Sequence, residues 1–455
     1  MGMDVKQFFV SIIVSGTLLS GCASTSVFNP YPNQAANYKT AIRENTIEKV
    51  TLDLAKKSKN EDALLYFSER GRLNQLNKNY AESKTDFEKV IAAYDALDEK
   101  AKISASSIAA NASTMLTNDN AIPYTGFGYE RILAHQFQAF NYLALGNLEG
   151  ANVEIRRAAL EQRILELAHE KEIANAENEA GGNDVNLADF QNTPELAGMN
   201  KLVGSVKNSF QNAYTFYTSA VLWEAQGDFN NATVDYKKAL EINPNNEQIK
   251  ADVLRVSAGK ILPANQGALV VLFEDGFVPE RQGFNLSIPY FGSSGVTYIS
   301  AAFPYYSADR WYAGNTLTLY NNNSTLGQTQ EVANFGAMAV KALKEKVPAM
   351  IVRQVIRARA KYESNKVASE QGGIIGSILS TVYNIVSEQA DLRSWLTLPN
   401  NAQVLRTQLP TGEQAIELNV AGVSQNLNLT IHSGRITVLR VINIHNRFIT
   451  ETFYL

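Results

Sequence analysis

The segment FYTSAVLWEAQGDFNNATVDYKKALEINPNN, Phe216 to Asn246, constrains the fold more than any other stretch of this chain. Its spacing predicts two helices joined by a tight turn. Ala220 sits where the helices approach closely, and Trp223 fills the inner face of the first. Gly227, Asp228 and Phe229 make the turn, Ala232, Tyr236 and Ala239 run down one face of the second helix, and Pro244 ends the unit. Small residues at those positions allow close approach while the aromatics fill the gaps between.

This is the tetratricopeptide pattern, and two weaker copies lie upstream. In Phe67 to Val90, Gly71 takes the small position, Tyr80 follows the turn, and Ser83, Phe87 and Val90 occupy the second helix; in Ala139 to Ala159 the corresponding residues are Ala139, Gly146, Leu148, Ala151, Ile155 and Ala158. The copies are not adjacent at one period, so the expected architecture is an irregular all-α solenoid over residues 38–262. The concave surface of such a solenoid receives an extended peptide or an element of a neighbouring domain. Tyr129, Trp223 and Tyr236 are therefore candidate partner-binding residues. The aromatics of the stretch Asn118 to Gln136 are expected to pack on that face or to form a contact patch. The polar tract Ala168 to Glu195 reads as a helix end followed by a loop, either a solvated insertion or a flexible cover that reaches over the groove or to a partner.

Between Ser257 and Gly267 the texture changes from Ala, Leu, Lys and Glu to β-branched and aromatic residues with Gly, Pro and Asn turns. This predicts a C-terminal mixed α/β domain over residues 263–455, making the whole chain α+β. Strands are expected at Ala268 to Phe273, with a turn at Glu274 to Gly276, and at Val296 to Phe303 and Thr316 to Tyr320. A long helix is expected from about Glu331 to Lys366, with Pro348 as its one point of interruption, and final strands end near Phe448 to Tyr454. Arg353, Arg357, Arg359 and Lys361 form the densest basic cluster, either a phosphate or headgroup site or a helix face paired with acidic neighbours. Gly372 to Gln389 is apolar and free of charge until Glu388, which fits a helix packed in the fold or an amphipathic helix touching a membrane. Asp391 and Arg393 flank a turn into Trp395.

The N-terminus supplies an address. Phe8 to Leu19 is an apolar run too short to span a bilayer, as in a signal-peptide core over residues 1–21. Leu19, Ser20 and Gly21 precede Cys22, the only cysteine, and this resembles the lipobox of bacterial lipoproteins. The resemblance implies that Cys22 becomes the acylated N-terminus, followed by a tether over residues 22–37. Ala23 in place of Asp implies attachment at the outer membrane, facing the periplasm.

With its one thiol so committed, the mature chain is expected to hold no disulfide, thiol nucleophile or thiolate metal site. Its 41 basic and 45 acidic residues show no basic stripe of the kind a nucleic-acid binder carries. The four histidines, His135, His169, His432 and His445, lack metal-ligand spacing. GGIIG lacks the lysine of a phosphate loop, and there is no nucleophile elbow. No catalytic residue, cofactor or metal is expected.

The lipobox, the Phe216 to Ala239 segment, the EDGFVPER turn and ADLRSWLTLPNNAQVLRTQLPTG together resemble a family of uncharacterised proteobacterial outer-membrane lipoproteins with tetratricopeptide-like repeats. The likeness covers nearly the whole mature chain, with Asp391, Arg393, Trp395, Pro399 and Gly412 where it is most recognisable. The family's genes often lie beside one for a lipoprotein similar to a penicillin-binding protein activator. This implies a protein-interaction scaffold in an envelope complex concerned with peptidoglycan synthesis, or in an outer-membrane machine. The likeness assigns no functional residue; the candidate partner contacts, taken from the residues themselves, are Tyr129, Trp223, Tyr236, Arg353, Arg357, Asp391, Arg393 and Trp395. The alternatives are a self-assembling structural subunit and an enzyme acting on peptidoglycan or lipid.

Overall fold

The computed structural model describes residues 29–104, 122–182, 192–259, 262–292, 295–357 and 389–455, with Leu187 and Phe190 as single positions. Cys22, Arg359, Lys361 and the segment from Gly372 to Glu388 lie outside the described residues.

Ten helices precede the first strand among the described residues: α1 (Tyr31–Glu44), α2 (Ile47–Lys57), α3 (Ala63–Leu76), α4 (Tyr80–Ser104), α5 (Gly128–Ala144), α6 (Leu148–Gly182), α7 (Pro194–Val203), α8 (Ala213–Ala225), α9 (Phe229–Ile242) and α10 (Glu247–Ser257). They pack pairwise, α3 with α4, α5 with α6 and α8 with α9. Local chemistry sets their ends. The Asn212 side chain accepts from the amides of Tyr214 and Thr215 at the start of α8, Asp228 caps α9 and Asn246 caps α10. Gly227 has φ +81°, which only glycine adopts without strain, and so lets α8 turn into α9. The close approaches expected of small residues are present: a Cβ on Gly71 would meet the Phe87 ring at 3.2 Å, and Ala220, Ala232 and Ala239 are fully buried.

One difference from expectation arises here. The stretch expected as tether to Asn37 is helical from Tyr31, because Pro32 falls in the first turn where no amide donor is needed. In the polar tract the expected helix end is α6, which runs to Gly182.

The β half comprises β1 (Gln266–Asp275), β2 (Gln282–Gly292), β3 (Gly295–Tyr305), β4 (Leu317–Asn321), β5 (Ser324–Gln328), β6 (Gln330–Asn334), β7 (Asn401–Pro410), β8 (Gly412–Val420), β9 (Val423–Ile431), β10 (Ile436–Ile444) and β11 (Arg447–Tyr454). They form a five-stranded sheet in the order β11-β10-β1-β7-β6, a four-stranded sheet in the order β5-β4-β8-β9, and the separate hairpin β2–β3. β1 pairs in parallel with β10 and antiparallel with β7. Two-residue turns with both residues at positive φ close β4–β5 (Asn322, Asn323), β8–β9 (Ala421, Gly422) and β10–β11 (His445, Asn446), the turn geometry whose twist matches a hairpin. His445 thus lies in a hairpin turn. His432 lies on the crossover from β9 in one sheet to β10 in the other.

β1 explains the layering. Leu269, Val271 and Phe273 pack against Leu317, Leu319, Ile416 and Leu418 of the four-stranded sheet. Ala268, Val270 and Leu272 belong to the core shared with the helices. A strand covered on both faces reads as an unbroken apolar run, as this one does. The result is three layers, helices on five strands on four strands, with one apolar core continuous from helices to sheet.

The turn expected at Glu274 starts later. Glu274 and Asp275 are both fully buried in β1, and the chain turns at Gly276 (φ +67°), where a Cβ would run into the Tyr312 ring. Likewise β6 occupies residues 330–334, and the long helix α11 begins only at residue 335 and is described to residue 357. Asn334 sets that start by accepting the Ala337 amide at 2.9 Å. Pro348 lies within α11 without ending it.

Candidate protein-binding groove

The helical layer grips an extended segment, and that segment is the chain's own. Residues 390–400, between the part of the chain beyond α11 and β7, cross the helices as a strap without regular secondary structure. Such backbone lacks ladder partners, so its buried amides need acceptors from elsewhere. Two buried glutamates provide them. Glu69 on α3 accepts the Leu396 amide at 2.8 Å, the Thr397 amide at 3.2 Å and the Thr397 hydroxyl at 2.5 Å, while Tyr31 donates to it at 2.9 Å. Glu130 on α5 accepts the Trp395 amide at 3.0 Å, with further donors from the Tyr124 and Tyr129 hydroxyls and the Phe127 amide.

The strap's side chains are equally engaged. Trp395, 1% exposed, packs between Phe87 and Phe137, both with ring centroids 5.8 Å away. Its indole N–H donates to the Thr397 hydroxyl at 3.1 Å. Arg393 forms a fork to Asp391 and reaches Asp62 at 2.5 Å, while Arg281 donates to the Arg393 carbonyl at 2.8 Å. Burial would weaken the Arg393 charge, yet Asp391 and Asp62 hold its pKa above the usual guanidinium value. At the C-terminal end of the strap, the Val278 amide donates to the Leu398 carbonyl and the Asn400 amide to the Asp275 carbonyl, both at 3.0 Å.

Two further polar clusters join helices to sheet. Glu274 accepts from Arg440 at 2.7 and 2.9 Å, from Arg72 at 2.6 Å and from Tyr214 at 3.1 Å, and Arg440 also reaches Glu451 at 2.9 Å. Burial pushes the Glu274 carboxyl up, but the two guanidiniums outweigh it and leave it below the usual range. The Arg440 guanidinium also lies 4.0 Å over the Phe140 ring, which suits a buried cation. In the second cluster Glu224 on α8 receives forks from Arg255 and from Arg406 of β7, plus the Tyr236 hydroxyl at 2.9 Å.

The residues expected to touch a partner are therefore placed as follows. Tyr129, Tyr236, Arg393 and Trp395 are buried and bonded within the chain. Arg357 is also buried, and donates to Gln354 at 3.3 Å. Trp223 is half-buried beneath the Arg156 guanidinium. Arg353 lines a cavity of about 150 Å³ with Tyr124, Phe127, Asp391 and Arg393. Strap, Tyr129 and Glu130 come together at one place; Trp223 and Tyr236 belong to the separate Glu224 region. Glu69, Glu130 and Glu224 escaped notice in the sequence, since a glutamate on a helix looks solvated until its partner is known; Glu274 was expected in a turn and lies instead in β1. Among the described residues no group of three or more His, Cys, Asp or Glu is placed to hold a metal.

Burial pushes the Glu69 carboxyl up to about 7, and hydrogen bonds from Thr397, Leu396 and Tyr31 only partly oppose it. The folded chain then keeps a proton that the unfolded chain releases near 4.5, so stability falls as pH rises from about 4.5 to about 7. Urea midpoints measured across that window should decline for the parent chain, and Glu69→Gln should flatten the decline.

Among the described residues no helix is long and apolar enough to cross a membrane. No protein-family model matches the chain, and no curated protein is significantly similar to it.

Proposed function

We propose that this chain is a lipid-anchored adaptor of the outer membrane, facing the periplasm, that holds envelope proteins through its helical layer. The helices are read as an irregular tetratricopeptide-like array whose concave face is filled by the strap, which directs partners to the outer surface. One observation carries the reading. On α6, Val153, Leu160, Ile164 and Leu167 are exposed at 43, 55, 42 and 73%, and their spacing places them along one side of the helix. Exposed large apolar residues at helical spacing suit a partner helix. The lipobox at Cys22 and the family resemblance support the address, and with it a complex concerned with peptidoglycan synthesis or an outer-membrane machine.

In-cell photocrosslinking with probes at Leu160 and Leu167 tests this. Defined envelope proteins should be recovered, and the double variant Leu160→Glu, Leu167→Glu should lose them while folding normally. Crosslinks to the chain alone would replace the adaptor by a self-assembling subunit.

A further inference from the structure

We propose that the outer end of the β2–β3 hairpin dips into the lipid surface to which the chain is anchored. The inference rests on the reading of Cys22 as the anchor and adds a second, protein-made membrane contact.

No charged residue occurs between Arg281 and Asp309, in a chain that is 19% charged overall. That interval contains the hairpin, whose strands pair with each other in register from Gln282↔Tyr305 to Gly292↔Gly295 and with no other strand among the described residues. As far out as Ile288, which pairs with Ile299, the hairpin is part of the body: Ile288, Ala301 and Phe303 are buried in the common core. Val296 and Tyr298 are 56 and 72% exposed, and two residues apart on a strand they share a face. An uncharged strand end presenting a valine and a tyrosine matches the interfacial zone of a bilayer, where an aromatic ring with a polar tip is favoured.

The anchor's reach coincides with the hairpin's. Pro30 and Tyr31, where the described fold begins, line a cavity of about 240 Å³ together with Gly283, Phe284, Asn285 and Ala302 at the hairpin base. From that point the seven steps from Asn29 back to Cys22 extend at most about 25 Å. The eight steps from Phe284 to Gly292 rise about 26 Å. A tether of that length is long enough to let Cys22 lie as far out as the end of β2 at Gly292.

The test uses the mature chain coupled through Cys22, its only thiol, to a maleimide lipid in vesicles of phosphatidylethanolamine and phosphatidylglycerol. Tyr298→Trp should add an emission that brominated acyl chains largely quench, whereas a tryptophan at the exposed Thr325 of β5 should stay bright. Adding Val296→Lys should restore most of the quenched emission. Equal brightness of Tyr298→Trp in brominated and plain vesicles would overturn the proposal, as would a concentration-dependent shift of that emission without lipid, which would make a second copy the occupant. Because the coupling is chemical, neither result depends on acylation in the cell. That is read separately, from the mass of the Cys22 peptide in membranes.

Discussion

Trp395→Ala is expected to lower the unfolding free energy by about 3–5 kcal/mol, the usual cost of removing a large aromatic from a closed core. The indole is 1% exposed between Phe87 and Phe137. Its removal also frees the Thr397 hydroxyl from its indole donor and slackens a strap whose amides depend on being pressed against Glu69 and Glu130. The loss should therefore fall at the high end of the range. Chemical denaturation measures it. A loss under about 1 kcal/mol, typical of a surface position, would mean that the indole is not held in the groove.

Arg440→Met should have a comparable effect for a different reason. Methionine fills much of the space, but Glu274 and Glu451 then share the one guanidinium of Arg72, with the Tyr214 and Tyr80 hydroxyls as their remaining donors. Breaking such a buried pair costs about 3–5 kcal/mol. The charges predict how to recover part of it. Arg72 and Arg440 balance Glu274 and Glu451, so Arg440→Met combined with Glu451→Gln leaves the neutral pair of Arg72 and Glu274, 2.6 Å apart. The double variant should be more stable than Arg440→Met alone, and a double-mutant cycle measures the coupling. Additive losses would show that Glu451 lies outside the electrostatic unit.

The coarse plan of the chain was legible because it rests on local chemistry. The change of texture before Gly267 marks where helices give way to strands, since residue-type preference and periodicity act over a few positions. The Gly227-Asp228-Phe229 turn, the small residues at Gly71 and Ala220, and β1 as an unbroken apolar run follow from the same short-range rules. What sequence could not supply was pairing across distance. Arg72 and Glu274 are about two hundred residues apart, and nothing in either neighbourhood names the other. Glu274 and Asp275 consequently looked like turn residues, although their partners hold them inside the sheet. The same limit shaped the reading of the groove. Tyr129, Arg393 and Trp395 have the composition of a recognition surface, but they lie on the two sides of one internal contact: Tyr129 belongs to the helices, whereas Arg393 and Trp395 belong to the strap of residues 390–400 that the helices hold. An aromatic anchor with flanking ion pairs has one appearance in sequence whether it binds its own chain or another protein. The α6 stripe was obscured for the opposite reason, because Leu160 and Leu167 resemble core residues, whereas among the described residues they are exposed.

Amide hydrogen exchange at Trp395, Leu396 and Thr397 tests the occupied groove most directly. Buried and bonded to Glu130 and Glu69, these amides should exchange only through global unfolding, in the slowest class of the molecule and with a strong dependence on denaturant. Fast exchange through a local opening insensitive to denaturant would contradict this, and would show that the strap leaves the groove and opens it to another peptide.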